Sequence, residues 1–137
     1  MKANELMIGD WVNVVVKWKP EIKYMYGEVS ELLAPDGYLK VRQSYDPYHD
    51  NEIYCLCDTE PIPLTPEILE KNGFENRGAQ FFCDSIGMIW WKDNIFMFSK
   101  YTRHEDLPTE NVSINIGYVH ELQHALRLCG IEKEIVL

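Results

Sequence analysis

Several features that would narrow the function are missing from this sequence. No stretch reaches the run of apolar residues that a membrane-spanning helix needs, and the opening residues carry no apolar segment of the secretory-leader kind. A cytoplasmic chain is the expectation. No glycine-rich phosphate loop is present, so nucleotide chemistry has no visible foothold, and there is no internal repeat or low-complexity tract. Basic residues are scarce: 13 Lys and Arg stand against 22 Asp and Glu, a formal net charge of −9. Affinity for nucleic-acid phosphate or an anionic membrane needs cations clustered on one face, because it comes from the counterions they release. Neither partner is expected. An acidic chain that mimics nucleic acid and inhibits a host enzyme is a second alternative to the readings below.

Cysteine is also sparse. Cys55, Cys57, Cys83 and Cys129 contain no C-x-x-C pair. Cys55 and Cys57 are two apart on a predicted strand and share a face, and Cys129 falls on a helical core stripe. Reduced, mostly buried thiols are expected, with a Cys/His structural zinc site as the lesser alternative.

What is present is a globular composition. Hydrophobic residues make up 46% of the 137 positions and charged residues 26%, enough to bury a core without disulfide or metal support. Ile8-Gly9-Asp10 reads as a turn leading into Trp11-Val12-Asn13-Val14-Val15-Val16-Lys17, where Val12, Val14 and Val16 share a face. Residues 24–33 continue the strand pattern, Pro35-Asp36-Gly37 turns the chain, residues 38–42 alternate apolar and charged, and residues 52–57 give a fourth strand. Short strands joined by turns predict an SH3-like small β-barrel or bent antiparallel sheet over residues 1–60.

Glu60-Pro61-Ile62-Pro63-Leu64 cannot run as a central strand, since two prolines remove ladder donors. It marks the predicted boundary with an α+β subdomain over 61–137. Thr65 is placed as an N-cap with Pro66 at the first helical position, and Gly73-Phe74 as the C-terminal cap and its apolar contact. Residues 79–84, 87–91 and 94–99 read as successive strands, 100–111 as a polar loop, 112–116 as a short strand and 134–137 as a final strand. The whole is α+β: the second half is an antiparallel sheet with two helices.

The main helix lies in Gly117 to Gly130, GYVHELQHALRLCG. Val119, Leu122, Leu126 and Cys129 recur at helical spacing, Tyr118 and Ala125 widen the stripe, and Gly130 with Ile131 ends it. Within it, His120-Glu121-Leu122-Gln123-His124 matches H-E-x-x-H, in which two histidines four apart bind zinc and the glutamate activates metal-bound water. On that reading, the alternative one, the chain is a zinc-dependent hydrolase with zinc as cofactor, metal ligands His120 and His124, and catalytic Glu121. A third ligand is required. The extended metzincin pattern would need Gly where Arg127 stands and His where Gly130 stands. Downstream, only Glu132 and Glu134 offer carboxylates, both beyond the cap. His120 and His124 also fall opposite the apolar stripe with Gln123 and Arg127, which predicts a solvated face, and Arg127 sets a positive charge beside any bound dication. The favoured expectation is therefore no cofactor and no catalytic residue.

Two aromatic groups are candidate contact residues. The loop Ser44-Tyr45-Asp46-Pro47-Tyr48-His49-Asp50-Asn51-Glu52 mixes acids with Tyr45 and Tyr48 but lacks the ligand spacing and turn glycine of a calcium loop. Trp90 and Trp91 are adjacent on a predicted strand and face opposite sides, so one of them is a candidate exposed anchor.

Three blocks carry a resemblance. Lys2-Ala3-Asn4-Glu5-Leu6-Met7-Ile8-Gly9-Asp10-Trp11-Val12, then Glu60-Pro61-Ile62-Pro63-Leu64-Thr65 through Gly73-Phe74, then Tyr118-Val119-His120-Glu121-Leu122-Gln123 look like short uncharacterised proteins of phages, prophages and mobile elements of gut bacteria. The resemblance implies a host bacterial cytoplasm and no established activity. It also implies that Asn often stands at position 124, which makes the second zinc ligand dispensable. The expectation is a non-enzymatic interaction module with an unidentified protein partner, touching it through Tyr45, Tyr48 and one of Trp90 and Trp91.

Overall fold

The computed structural model describes residues 5–18, 21–33, 37–42, 52–55, 58–93, 95–104 and 107–137. The chain divides into two compact units, Met1–Ile62 and Pro63–Leu137.

The first unit is one antiparallel sheet built from β1 (Trp11–Trp18), β2 (Glu21–Leu33), β3 (Tyr38–Arg42), β4 (Glu52–Cys55) and β5 (Thr59–Glu60), in the order β4-β3-β2-β1-β5. Alternation decides its inner face: Val12 and Val14 are buried, and they join Leu6, Val29, Leu39 and Val41 in one apolar cluster. Gly27 lies opposite Val12 in the ladder, and a Cβ there would run into the Val41 side chain. The strand therefore needs glycine for close packing, not for a turn. Before β1 the chain doubles back at a turn that Asp10 closes, its carboxylate accepting from the Met7 N–H at 2.7 Å. Gly9 N–H and Asp10 C=O then pair with Val29, tying the turn to β2. A register shift between Val29 and Glu31 bends the β2–β3 ladder. Among the described residues β4 and β5 do not pair with each other, so the sheet keeps two open ends.

The second unit begins with α1 (Pro66–Lys71), followed by β6 (Glu75–Asn76), β7 (Gln80–Cys83), β8 (Ile86–Lys92), β9 (Ile95–His104), β10 (Leu107–Ile116) and α2 (Val119–Leu128). Its five strands form an antiparallel meander in the order β10-β9-β8-β7-β6. Two antiparallel sheets with two helices make the chain α+β. On one face of the second sheet Phe81, Ile86, Met88, Phe96, Phe98 and Ile116 are buried, and Phe81 meets Phe96 edge to face at 5.9 Å. Lys100, on the same face, donates to the Cys129 carbonyl and so sets the end of α2 over it.

The start of α1 and the ends of both helices follow from their sequences. Thr65 Oγ1 accepts from the Ile68 N–H, and Pro66 occupies the first turn, where no donor is missed. Past α1, Gly73 N–H reaches Glu70 C=O and Phe74 N–H reaches Leu69 C=O. Past α2, Gly130 N–H reaches Arg127 C=O and Ile131 N–H reaches Leu126 C=O. These are two Schellman ends, and Gly73 and Gly130 supply the positive φ, 82° and 69°, that each requires.

Three expectations are corrected. Residues 100–111, predicted as a loop, lie largely in β9 and β10. Beyond Lys100 no ladder among the described residues joins those two strands to a third, so no third strand imposes the alternation by which a strand is read. Residues 134–137, predicted as a strand, belong to no ladder. Ile135 is buried there and Val136 is held by the side chain of Asn72. Tyr118, predicted to widen the core stripe of α2, precedes the helix and is exposed.

Candidate functional site

The H-E-x-x-H residues occupy the first turns of α2. Glu121 is the third helical residue, and its carboxylate folds back to the helix start. Oε2 accepts from Gly117 N–H at 2.7 Å and from Tyr118 N–H at 3.2 Å. The tyrosine makes no side-chain cap bond, so Glu121 supplies the satisfaction that the leading amides need, assisted by the positive end of the helix dipole. A carboxylate so held is a cap.

The histidines differ from expectation. His120 is 6% exposed and Gln123 7%, so the face predicted as solvated is half buried. The physical reason lies in how α2 sits: Val119, Leu122, Ala125 and Leu126 form the stripe, and the residues at its flank, His120 and Gln123, go under with it. Only Arg127 and Leu128 on the outer side stay open. The His120 ring stacks on Tyr118 at 5.9 Å and 15°, and meets His124 edge-on at 5.8 Å between centroids. Among the described residues no group of three His, Cys, Asp or Glu side chains is arranged to hold a metal ion. Cys83 and Cys129 are free thiols, and they and Cys55 are each half-buried.

Of the aromatic candidates, Tyr45 and Tyr48 lie outside the described residues, as does the side chain of Trp91. Trp90 is 42% exposed and stacks on Phe96 at 6.3 Å and 19°. It stands in one cross-strand row with Phe96 and Ile116, at the end of the sheet where the β8–β9 turn and the start of α2 converge.

That end holds a cleft of about 440 Å3, lined by Pro63, Asp93, Ile95, Asn115, Ile116, Gly117, Tyr118 and Glu121. Ile95 and Tyr118 are 41% and 40% exposed, large apolar side chains open to solvent in its lining. The cleft is assembled from distant sequence. Antiparallel bridging of Pro63 to Tyr118 and the bond from Leu64 N–H to Gly117 C=O bring the linker to the helix start, while the β9–β10 register brings 95–96 beside 116. Asp93 takes a left-handed φ of 52° at the β8–β9 turn, a conformation that Asp tolerates better than most residues. A second cleft, about 590 Å3, lies between the end of α2 and residues 130–134. Arg127, Lys133, Glu132 and Glu134 give it mixed charge.

Sequence reasoning missed Pro63, Asp93, Ile95 and Asn115. A linker proline, a turn aspartate and a strand-leading isoleucine carry no local mark of a site; only the sheet order and the Pro63–Tyr118 bridge bring them together. Compared with known proteins, the chain matches no family model, and no curated protein and no solved structure is similar enough to count as a match.

Proposed function

We propose that this chain is a non-enzymatic protein-interaction module that grips its partner through the cleft between Ile95 and Tyr118. The observation that carries the reading is the exposure of these two side chains in the lining of one concavity, with Trp90 half-open at the same end of the sheet. Large apolar and aromatic groups that stay solvated in the free chain are the kind that anchor an interface once a partner excludes water. Asp93 and Glu121 on the rim supply charge that orients and speeds encounter. The capping bonds of Glu121 favour binding over hydrolysis, since the residue that would activate water already holds two backbone amides.

The strand order β4-β3-β2-β1-β5 supports an SH3-like form for the first unit. The resemblance of the three sequence blocks to phage and mobile-element proteins supports a partner in the host bacterial cytoplasm. No helix among the described residues is long and apolar enough to cross a membrane.

The test is site-specific photocrosslinking in bacterial cells, with a photoreactive phenylalanine analogue at position 95 or, as control, at Leu128 on the outer side of α2. A discrete protein adduct from 95 and none from 128 is the expected result. Identical adduct patterns from both positions, or none from either, contradict the reading.

A further inference from the structure

The same end of the second unit has an open strand edge. β10 is the terminal strand of its sheet, and among the described residues no strand pairs with its far side. Ser113, Ile114 and Asn115 are all exposed along it, although Ile114 shares the face that carries buried Phe98 in the neighbouring strand. An edge of this kind presents unpaired N–H and C=O groups at alternate residues, a template for another extended chain. Immediately beyond β10, at Gly117 and Tyr118, residues 63–64 already pair antiparallel with the backbone, so extended chain is accommodated at this end.

The charge of the neighbourhood selects what adds. Asp93 and Glu121 line the adjoining cleft, and among the described residues no Lys, Arg or His does. The chain carries a net charge of −9. A second copy would bring the same acidic rim and meet like charge, which disfavours self-pairing; a basic segment meets complementary charge.

Resting on the interaction reading above, we infer that the partner presents an extended basic segment that adds to the edge of β10 over residues 113–116. An apolar side chain of that segment enters the cleft between Ile95 and Tyr118, and a lysine or arginine reaches Asp93 and Glu121. Backbone pairing supplies register, alternate side chains supply selectivity, and the acidic rim excludes acidic segments.

The experiment uses the full chain and three synthetic ten-residue peptides at physiological salt: one alternating valine and lysine, one alternating valine and glutamate, and one with the same five valines and five lysines in separate blocks. The alternating basic peptide is expected to bind about tenfold tighter than either of the others, and Asp93→Asn to weaken it by about fivefold. Asn keeps the left-handed turn accessible, so the variant retains the fold. Amide exchange read by NMR should slow at alternate residues within 113–116 on binding. Equal affinity for the block peptide, or protection confined to other parts of the chain, overturns strand addition. Dimerisation of the free chain through β10 overturns it too. If the photocrosslink from position 95 persists in any of these cases, the interaction reading stands and only the strand-addition inference falls.

Discussion

The side-chain amide of Asn72 pairs with the backbone of Val136 as a neighbouring strand would: Nδ2 donates to the Val136 C=O at 2.8 Å, and Oδ1 accepts from the Val136 N–H at 2.8 Å. The same Nδ2 also donates to Ile68 C=O, and Lys71 Nζ donates to Leu137 C=O. Thus the end of α1 clamps residues 136–137, and the clamp seats Ile135 in the core. Asn72→Ala leaves part-buried backbone groups unsatisfied and should destabilise the second unit by about 1–2 kcal/mol, with faster exchange of the Val136 amide. Chemical denaturation and hydrogen exchange measure both. Asn72→Asp keeps the acceptor and loses the donor, so it should fall between.

Gly27 predicts an effect in the first unit. Alanine there collides with the Val41 side chain, so Gly27→Ala should cost about 1–3 kcal/mol by overpacking, despite alanine's better strand entropy. A pairing with Val41→Ala should recover part of the loss, and a double-mutant cycle by denaturation reads the coupling.

At the β7–β8 turn Asp84 holds φ at 51°. Asp84→Gly removes the left-handed cost and should stabilise the second unit by about 0.5–1 kcal/mol, while Asp84→Val should destabilise it by a similar amount or more. Thermal unfolding of the two variants checks the opposite signs.

Two surface glutamates give a pH signature. Glu67 is held below its ordinary value of 4.5 by the backbone N–H in the first turn of α1 and then by the Thr65 hydroxyl. Glu75 is held below 4.5 by hydrogen bonds from Arg77, two of 3.0 Å each, and then by its charge. Because the folded values are depressed, each group adds stability that is fully present above about 4.5 and is lost as pH falls through the folded value. NMR titration should find both midpoints below 4.5. Arg77→Ala should return Glu75 towards it and leave Glu67 unmoved.

Much of this was legible locally. Thr65-Pro66, Gly73-Phe74 and Gly130-Ile131 carry their own capping chemistry, and alternate valines mark β1, so helix ends and short buried strands follow from neighbouring residues alone. The extension of β9 and β10 was not, because among the described residues no third strand joins their ladder there, and their polar sequence shows no alternation. Nor was the anchoring of residues 135–137, which depends on an asparagine more than sixty positions away. The site had the same difficulty. The stripe of α2 was readable, but the depth to which its flank sinks is set by the sheet beneath it, and His120 went under where spacing alone placed it outside. The cleft is tertiary throughout.

Glu121 caps α2, and the proposed working site is the cleft between Ile95 and Tyr118, not a zinc centre. Metal content by elemental mass spectrometry tests that choice most directly, on untagged chain purified without chelator and then incubated with zinc, beside the His120→Ala, His124→Ala double variant. The account predicts zinc far below one per chain in both proteins. Near-stoichiometric zinc in the natural chain that disappears in the double variant would contradict it and make the helix start a metal centre.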